Sequence, residues 1–188
     1  MHVGLFKRRR VDTPQTPDID EDKQKSKILS LTLDATAGNR MMWKNKYPPM
    51  TIFMDKKLDL SIPPDIVGVW EACPFRNSVF GRVIFDPPHI VRSGGYDPRF
   101  GLHRKYGAWE SKREAIISIY KAQIEFARLA FRLCFKWCET RDGPTLWGLM
   151  PLFDKWKKVF ERERKTLGYG KIRGSTYWIT FELAEEDI

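Results

Sequence analysis

Two rhythms of apolar and polar positions run along this chain, and they assign most of its elements. Short apolar or β-branched runs at residues 28–33, 51–55, 65–69, 79–85 and 133–137 are bounded by Gly, Pro, Asn or Asp and read as strands. A last run, Thr176 to Glu182, has strong β propensity and suits a closing edge strand. Helical spacing occurs twice. From Ser111 to about Arg132, Ile116, Ile117, Tyr120, Ile124, Ala127, Leu129 and Ala130 supply apolar faces behind a Ser111/Glu114 capping box. From about Thr145 to Lys165, Leu146, Leu149, Phe153, Trp156, Val159 and Phe160 line one side of a second helix. After the first strand, Asp34 to Arg40 form a tight turn that leads into a short helix at Met41-Met42-Trp43. Strands alternating with helical segments imply an α/β fold on a mostly parallel sheet.

Residues 1–26 stand outside this pattern. Lys7-Arg8-Arg9-Arg10, a Thr-Pro-Gln-Thr-Pro stretch and an almost wholly charged or polar run from Asp18 to Lys27 cannot bury enough surface to offset their ordering entropy, so this is read as a flexible tail ahead of one domain over 27–188. The basic cluster is a phosphate-binding arm, an import-like patch or solvated charge. No apolar run approaches the 18 or so residues that a membrane helix needs. Cys73, Cys134 and Cys138 have no CxxC spacing, which points to free thiols, an intracellular, cytoplasmic and reducing setting, and no metal site. Thirty-three Lys and Arg against 24 Asp and Glu give a formal charge of +9, which suits a polyanionic partner, nucleic acid first, and not a membrane.

The candidate chemistry sits where strands end. Asp34 closes the first strand, and Gly38 follows four residues later, where a missing Cβ lets the backbone pass close under a ligand. The amides beyond it form a nest suited to a negative group such as a carboxylate. Asp55 ends the second strand 21 residues after Asp34, the spacing at which doubly wound folds place an acid on a ribose hydroxyl. Trp70, near the third strand, either flanks an adenine or belongs to the core. Val83-Ile84-Phe85 runs into Asp86-Pro87-Pro88-His89, where two prolines that donate no ladder hydrogen bond stop the strand at a carboxylate. Asp86 is therefore a reactive acid at the carboxyl end of a strand or an ordinary turn residue. Between residues 90 and 108, Arg92, Arg99, His103, Arg104 and Lys105 are interleaved with Tyr96, Phe100, Tyr106 and, just beyond, Trp109. That segment is a nucleic-acid surface or an ordered flap with solvated charge.

Taken together, Asp34-Ala-Thr-Ala-Gly-Asn-Arg-Met-Met-Trp43, Phe53-Met-Asp55, Pro64-Asp-Ile-Val67, Pro74-Phe75, Phe85-Asp-Pro-Pro-His89, Phe135-Lys-Trp137 and Trp178-Ile-Thr-Phe181 resemble the small class I S-adenosylmethionine-dependent methyltransferases of the phage and prophage type, over about residues 28–182. The resemblance implies a Rossmann-like, mostly parallel seven-stranded sheet with an antiparallel terminal hairpin and helices on both faces. It implies that Asp34, Ala35, Thr36, Ala37, Gly38, Asn39 and Arg40 cradle the methionine part of S-adenosylmethionine, that Asp55 and the adjoining Lys56 hold its ribose, and that Val69 and Trp70 flank its adenine. Gly68-Val69 stands where the pattern has an acid, which shifts weight to backbone amides or Trp70. Asp86, Pro87, Pro88 and His89 are the implied amino-methylating site, with histidine in place of the commoner Tyr, Phe or Trp. The function so implied is methylation of an exocyclic amine of a nucleic-acid base, adenine N6 in DNA before cytosine N4. The alternatives are an RNA or small-molecule methyltransferase of the same fold, or a basic nucleic-acid-binding module without catalysis.

Overall fold

A computed structural model describes residues 30–92, 107–166 and 174–184. Seven strands, β1 (Thr32–Asp34), β2 (Thr51–Asp55), β3 (Ile66–Val67), β4 (Phe80–Phe85), β5 (Ala130–Cys138), β6 (Trp156–Thr166) and β7 (Gly174–Leu183), form one sheet in the order β3-β2-β1-β4-β5-β7-β6. β1 to β5 pair in parallel, whereas β7 runs antiparallel between β5 and β6. This is a Rossmann-like sheet with an antiparallel terminal hairpin. The strand order turns back between β1 and β4, which opens a crevice at the carboxyl ends of those strands.

Leu33, Val83, Leu133 and Phe181 stand in register across β1, β4, β5 and β7, and all are fully buried. Helix α1 (Lys112–Leu129) covers this face, with Phe126 edge-on to Phe85 at 5.0 Å between ring centroids. Phe153 extends the same layer, tilted at 5.0 Å on Phe135 and stacked at 4.8 Å on Phe181. Fully burying one such ring contributes about 1.5–3 kcal/mol, so this aromatic layer holds the hairpin to the parallel half.

Ser111 caps α1 as its sequence implies: the Ser111 hydroxyl accepts from the Glu114 amide at 3.1 Å, and the Glu114 carboxylate accepts from the Glu110 amide at 2.7 Å. The buried stripe differs from the expected one. Ala115, Ser118, Ile119, Ala122, Gln123, Phe126 and Leu129 face the sheet, while Ile117, Tyr120 and Ile124 are 40–43% exposed. The helix also stops at Leu129, because Ala130 already has the extended backbone of β5.

Two local expectations are corrected. Only Leu146–Leu149 (α2) and the 3-10 turn Met150–Leu152 are helical in the segment read as one long helix; Trp156–Thr166 is β6. Pro151 lacks the amide that an α-helix would use there, and residues 156–166 find a ladder of partners on β7 instead. β7 is accordingly interior and β6 forms the edge. The expected short helix at Met41 to Trp43 is a series of turns, with Arg40 at φ 53° and Met50 at φ 57°. That segment covers the second face of β2, where Trp43 meets Phe53 edge-on at 5.5 Å. Among the described residues, no helix is long and apolar enough to cross a membrane, and Cys73, Cys134 and Cys138 are free thiols. The tail over 1–26 lies outside the described residues.

Candidate functional site

A cleft of about 660 Å³ opens at the carboxyl ends of β1, β2 and β4, large enough for a cofactor-sized ligand. The three strand-end acids meet there. Asp34, Asp55 and Asp86 all line it, together with Thr36, Ala37, Gly38, Asn39, Lys56, Trp70, Pro87, Pro88 and His89. Ala35 is wholly buried beneath the turn, and Val69, 43% exposed and bridged to Ala72, is not part of the wall.

The turn after β1 is built by its own polar groups. Asp34 accepts from the Thr36 amide at 3.1 Å and from Trp43 Nε1 at 2.7 Å. Burial pushes its carboxyl up from the ordinary 3.8 to about 6; the two hydrogen bonds oppose the rise, and Asp86 and Asp55 add to it. Gly38 has φ +48°, and no atom lies within 4 Å of where a Cβ would stand, so the backbone presents an open surface to the cleft. Its amide donates to Asp55 Oδ2 at 2.8 Å. Asp55 Oδ1 accepts from the Lys57 amide at 2.9 Å, which leaves each carboxylate oxygen further acceptor capacity.

The turn up to Gly38 uses its own amides. The amides of Thr36, Ala37, Gly38 and Arg40 donate to Asp34, Met54, Asp55 and Ala37 respectively, so of the amides beyond Gly38 that of Arg40 is spent within the turn. Arg40 turns away from the cleft. Its guanidinium, with the side chain 4% exposed, bonds the Lys46 and Pro63 carbonyls and Asp65 at 2.8, 3.1 and 3.1 Å, and lies 3.8 Å from the centroid of the Phe53 ring.

Three separate segments clamp the Asp86 loop. The Asp86 amide donates to Thr36 Oγ1 at 2.8 Å, Trp109 Nε1 donates to the Pro88 carbonyl, and Thr140 Oγ1 donates to the His89 carbonyl at 3.0 Å. Gly107, at φ +81°, passes so close to Pro88 that a Cβ there would meet the proline ring at 3.1 Å. Among the described residues no donor reaches the Pro87 carbonyl. Asp86 itself is paired: Lys136 Nζ lies 2.5 Å from its Oδ2, with both side chains 24% exposed. Burial holds His89 below its ordinary 6.5, and Lys136 reinforces this while Asp86 opposes it. The ring is therefore neutral at neutral pH.

Trp70 is a core residue with an edge in the cleft wall. It is 5% exposed, donates to Ser118 Oγ at 2.9 Å and packs edge-on to Phe85 and Trp109, yet part of it lines the cleft with Lys56 Nζ 5.1 Å from its ring centroid. Arg92 pairs with Glu110 outside the cleft. Arg99, His103, Arg104 and Lys105 fall outside the described residues. Residue-level reading gave no role to several wall residues, namely Met41, Met42, Lys136, Cys138, Thr176 and Trp178. Lys136 and Trp178 belong to the Phe135-Lys-Trp137 and Trp178-Ile-Thr-Phe181 patterns, but only the β5–β7 register brings them together.

This sheet, with its crevice and terminal hairpin, has a counterpart among solved structures. The chain shares a known fold. The PH0226 protein from Pyrococcus horikoshii OT3 superimposes with a TM-score of 0.54 and 12% identity, over 89% of this chain and 93% of its own. A geranyl diphosphate methyltransferase solved with GPP and sinefungin gives 0.48 at 9% identity over 86% and 78%, and an rRNA methylase from Streptococcus thermophilus gives 0.45 at 12% over 91% and 100%. At 12% identity the likeness to the PH0226 protein is one of fold. No protein-family model and no curated protein matches the sequence.

Proposed function

We propose that this protein is an S-adenosylmethionine-dependent methyltransferase acting on an exocyclic amino group of a nucleic-acid base, adenine N6 in DNA. The observation that carries the reading is the loop at the end of β4, where Asp86 and the Pro87 carbonyl offer two acceptors at the mouth of a cleft already lined by Asp34 and Asp55. The wall fits the cofactor's chemistry. Three carboxylates suit a ligand with a sulfonium and an ammonium, the open surface at Gly38 admits close approach, and Asp55 keeps lone pairs for ribose hydroxyls. The ligand's carboxylate falls to the Asn39 amide beyond Gly38 or to Lys56 or Lys57.

S-adenosylmethionine, when bound, would supply an electrophilic methyl carbon for transfer from sulfur to the amine nitrogen. The protein's part is positioning. Asp86 Oδ1 and the Pro87 carbonyl accept the two amine hydrogens and aim the nitrogen lone pair into the cleft. Lys136 fixes the carboxylate from its Oδ2 side, and the clamps from Thr36, Trp109 and Thr140 keep the acceptors from drifting. His89, neutral and half-buried, stacks on the flipped base, and the surplus proton leaves to solvent.

Incubating the protein with labelled cofactor and DNA or RNA, then analysing nucleosides by mass spectrometry, tests the reading. N6-methyl-2′-deoxyadenosine from DNA is the expected product. Label in RNA alone would move the substrate, and no label in either, with no heat on cofactor titration, would leave a nucleic-acid-binding module.

A further inference from the structure

Beyond the cleft, the terminal hairpin carries an unassigned surface. The register across β5, β7 and β6 sets Lys136 opposite Trp178 and Trp178 opposite Arg162, and one row nearer the cleft mouth it sets Cys138, Thr176 and Arg164 side by side. Cross-strand partners share a face, and Lys136 Nζ lies 5.3 Å from the centroid of the Trp178 ring. A row of Asp86, Lys136, Trp178 and Arg162 thus crosses four strands, with Trp178 and Thr176 in the cleft wall.

β6 sorts its charges by face. In Glu161-Arg162-Glu163-Arg164 the two-residue period of a strand sends both acids to one side and both arginines to the other. Glu161 pairs with Lys158, and Glu163 accepts from the Ser175 hydroxyl. Arg162 and Arg164 are exposed, and no carboxylate among the described residues pairs with either. At about 3.3 Å per residue the two guanidinium stems leave the strand roughly 7 Å apart, comparable to successive phosphates on one strand. Neighbouring strands stand about 4.8 Å apart, so Arg162 lies roughly 10 Å from Lys136 on β5 and roughly 14 Å from Asp86 at the end of β4. That distance leaves room for one base on Trp178 between a phosphate and a base in the cleft.

We propose that Arg162, Arg164 and Trp178 form a track for a single strand of DNA: the arginines take adjacent phosphates, and the exposed indole stacks the base next to the target. The proposal rests on the reading of the cleft as a base-modifying site. It differs from the 90–108 segment as the place where the polyanion is held.

The test is fluorescence anisotropy with a labelled single-stranded oligodeoxynucleotide over 50–400 mM salt, run beside cofactor calorimetry and thermal unfolding. Two phosphate contacts to a single strand contribute about 1.4 to the slope of log affinity against log salt. The double variant Arg162→Gln/Arg164→Gln should lose that slope and bind at least tenfold more weakly at low salt, with cofactor affinity and melting temperature unchanged. Arg162→Lys/Arg164→Lys should restore most of the slope, which a merely structural role would not do. Trp178→Ala should weaken binding about tenfold without changing the slope, and Trp178→Phe should recover it. An unchanged slope in the glutamine variant overturns the proposal, as does the same loss with RNA but none with DNA. Loss of slope in a protein that binds no cofactor would uphold the track and sink the methyltransferase reading, so the two fail separately.

Discussion

Asp34 should make cofactor binding pH-dependent in a range where free carboxylates do not titrate. Its carboxyl, with the residue 1% exposed, sits at about 6 instead of 3.8 because burial disfavours the charged form. In the empty protein this raised value is a stabilising term that is fully present below 3.8 and is lost as pH rises through about 6. At about 1.4 kcal/mol per pH unit it amounts to about 3 kcal/mol over that interval. A cation in the cleft reverses the preference, since it favours ionised Asp34 and lowers its pKa in the complex. Below pH 6 binding then requires release of a proton, and the dissociation constant should rise toward tenfold for each unit of pH. With the free-protein value near 6, the constant should be about tenfold larger at pH 5 than at pH 7, and flat above 7. Calorimetric titration of S-adenosylmethionine at pH 5, 6, 7 and 8, each in two buffers of different ionisation enthalpy, measures both affinity and proton release. Asp34→Asn should bind more weakly at neutral pH and lose the dependence between pH 5 and 7. An affinity constant within twofold across that range in the wild-type protein, without proton release, would refute the reasoning and leave Asp34 as structure beneath the turn.

Asp86→Ala should lower turnover a hundredfold or more, about 3 kcal/mol of transition-state stabilisation, while cofactor affinity in calorimetry stays unchanged; a strand-end cap alone would cost about 1 kcal/mol of stability and spare turnover. On the proposed stacking role His89→Phe should keep activity, and a variant with less than a tenth of normal turnover and intact substrate binding would make the imidazole a proton carrier. Arg40→Met should cost about 2 kcal/mol in chemical denaturation by stranding the Lys46 and Pro63 carbonyls and Asp65, with cofactor affinity unaltered. A large fall in cofactor affinity at equal stability would place Arg40 in the cleft after all.

The strand-end acids were legible because local chemistry announces them: a Pro-Pro pair stops β4 at Asp86, and the Asp34 to Asp55 spacing follows the geometry of a β-turn-β unit. Arg40 was not, since its partners Pro63 and Asp65 lie 23 and 25 residues away and nothing nearby marks the side chain for burial. β6 was misread for a different reason. Lys157 to Lys165 has charged residues at both helical and alternating intervals, and only the backbone ladder offered by β7 decides between them. The exposed Ile117, Tyr120 and Ile124 show the same limit on α1, where Ala115, Ala122 and Phe126 supply the flatter surface that fits the sheet. Lys136 and Asp86, 50 residues apart, meet only because β4 and β5 pair in parallel.

The segregated charges of β6 also bear on solubility. An eleven-residue strand at the margin of a sheet leaves a row of unsatisfied amides and carbonyls that invites another molecule to add itself. Here a second copy approaching antiparallel about Glu163 would bring Arg162 of each chain against Arg164 of the other, like charge on like charge along one whole face. The irregularity between Lys158 and Phe160 spoils the register further along. The arginines thus guard the margin against self-pairing for as long as they remain charged and bare, and a polyanion lying over them would neutralise that guard while physically covering the strand in its place.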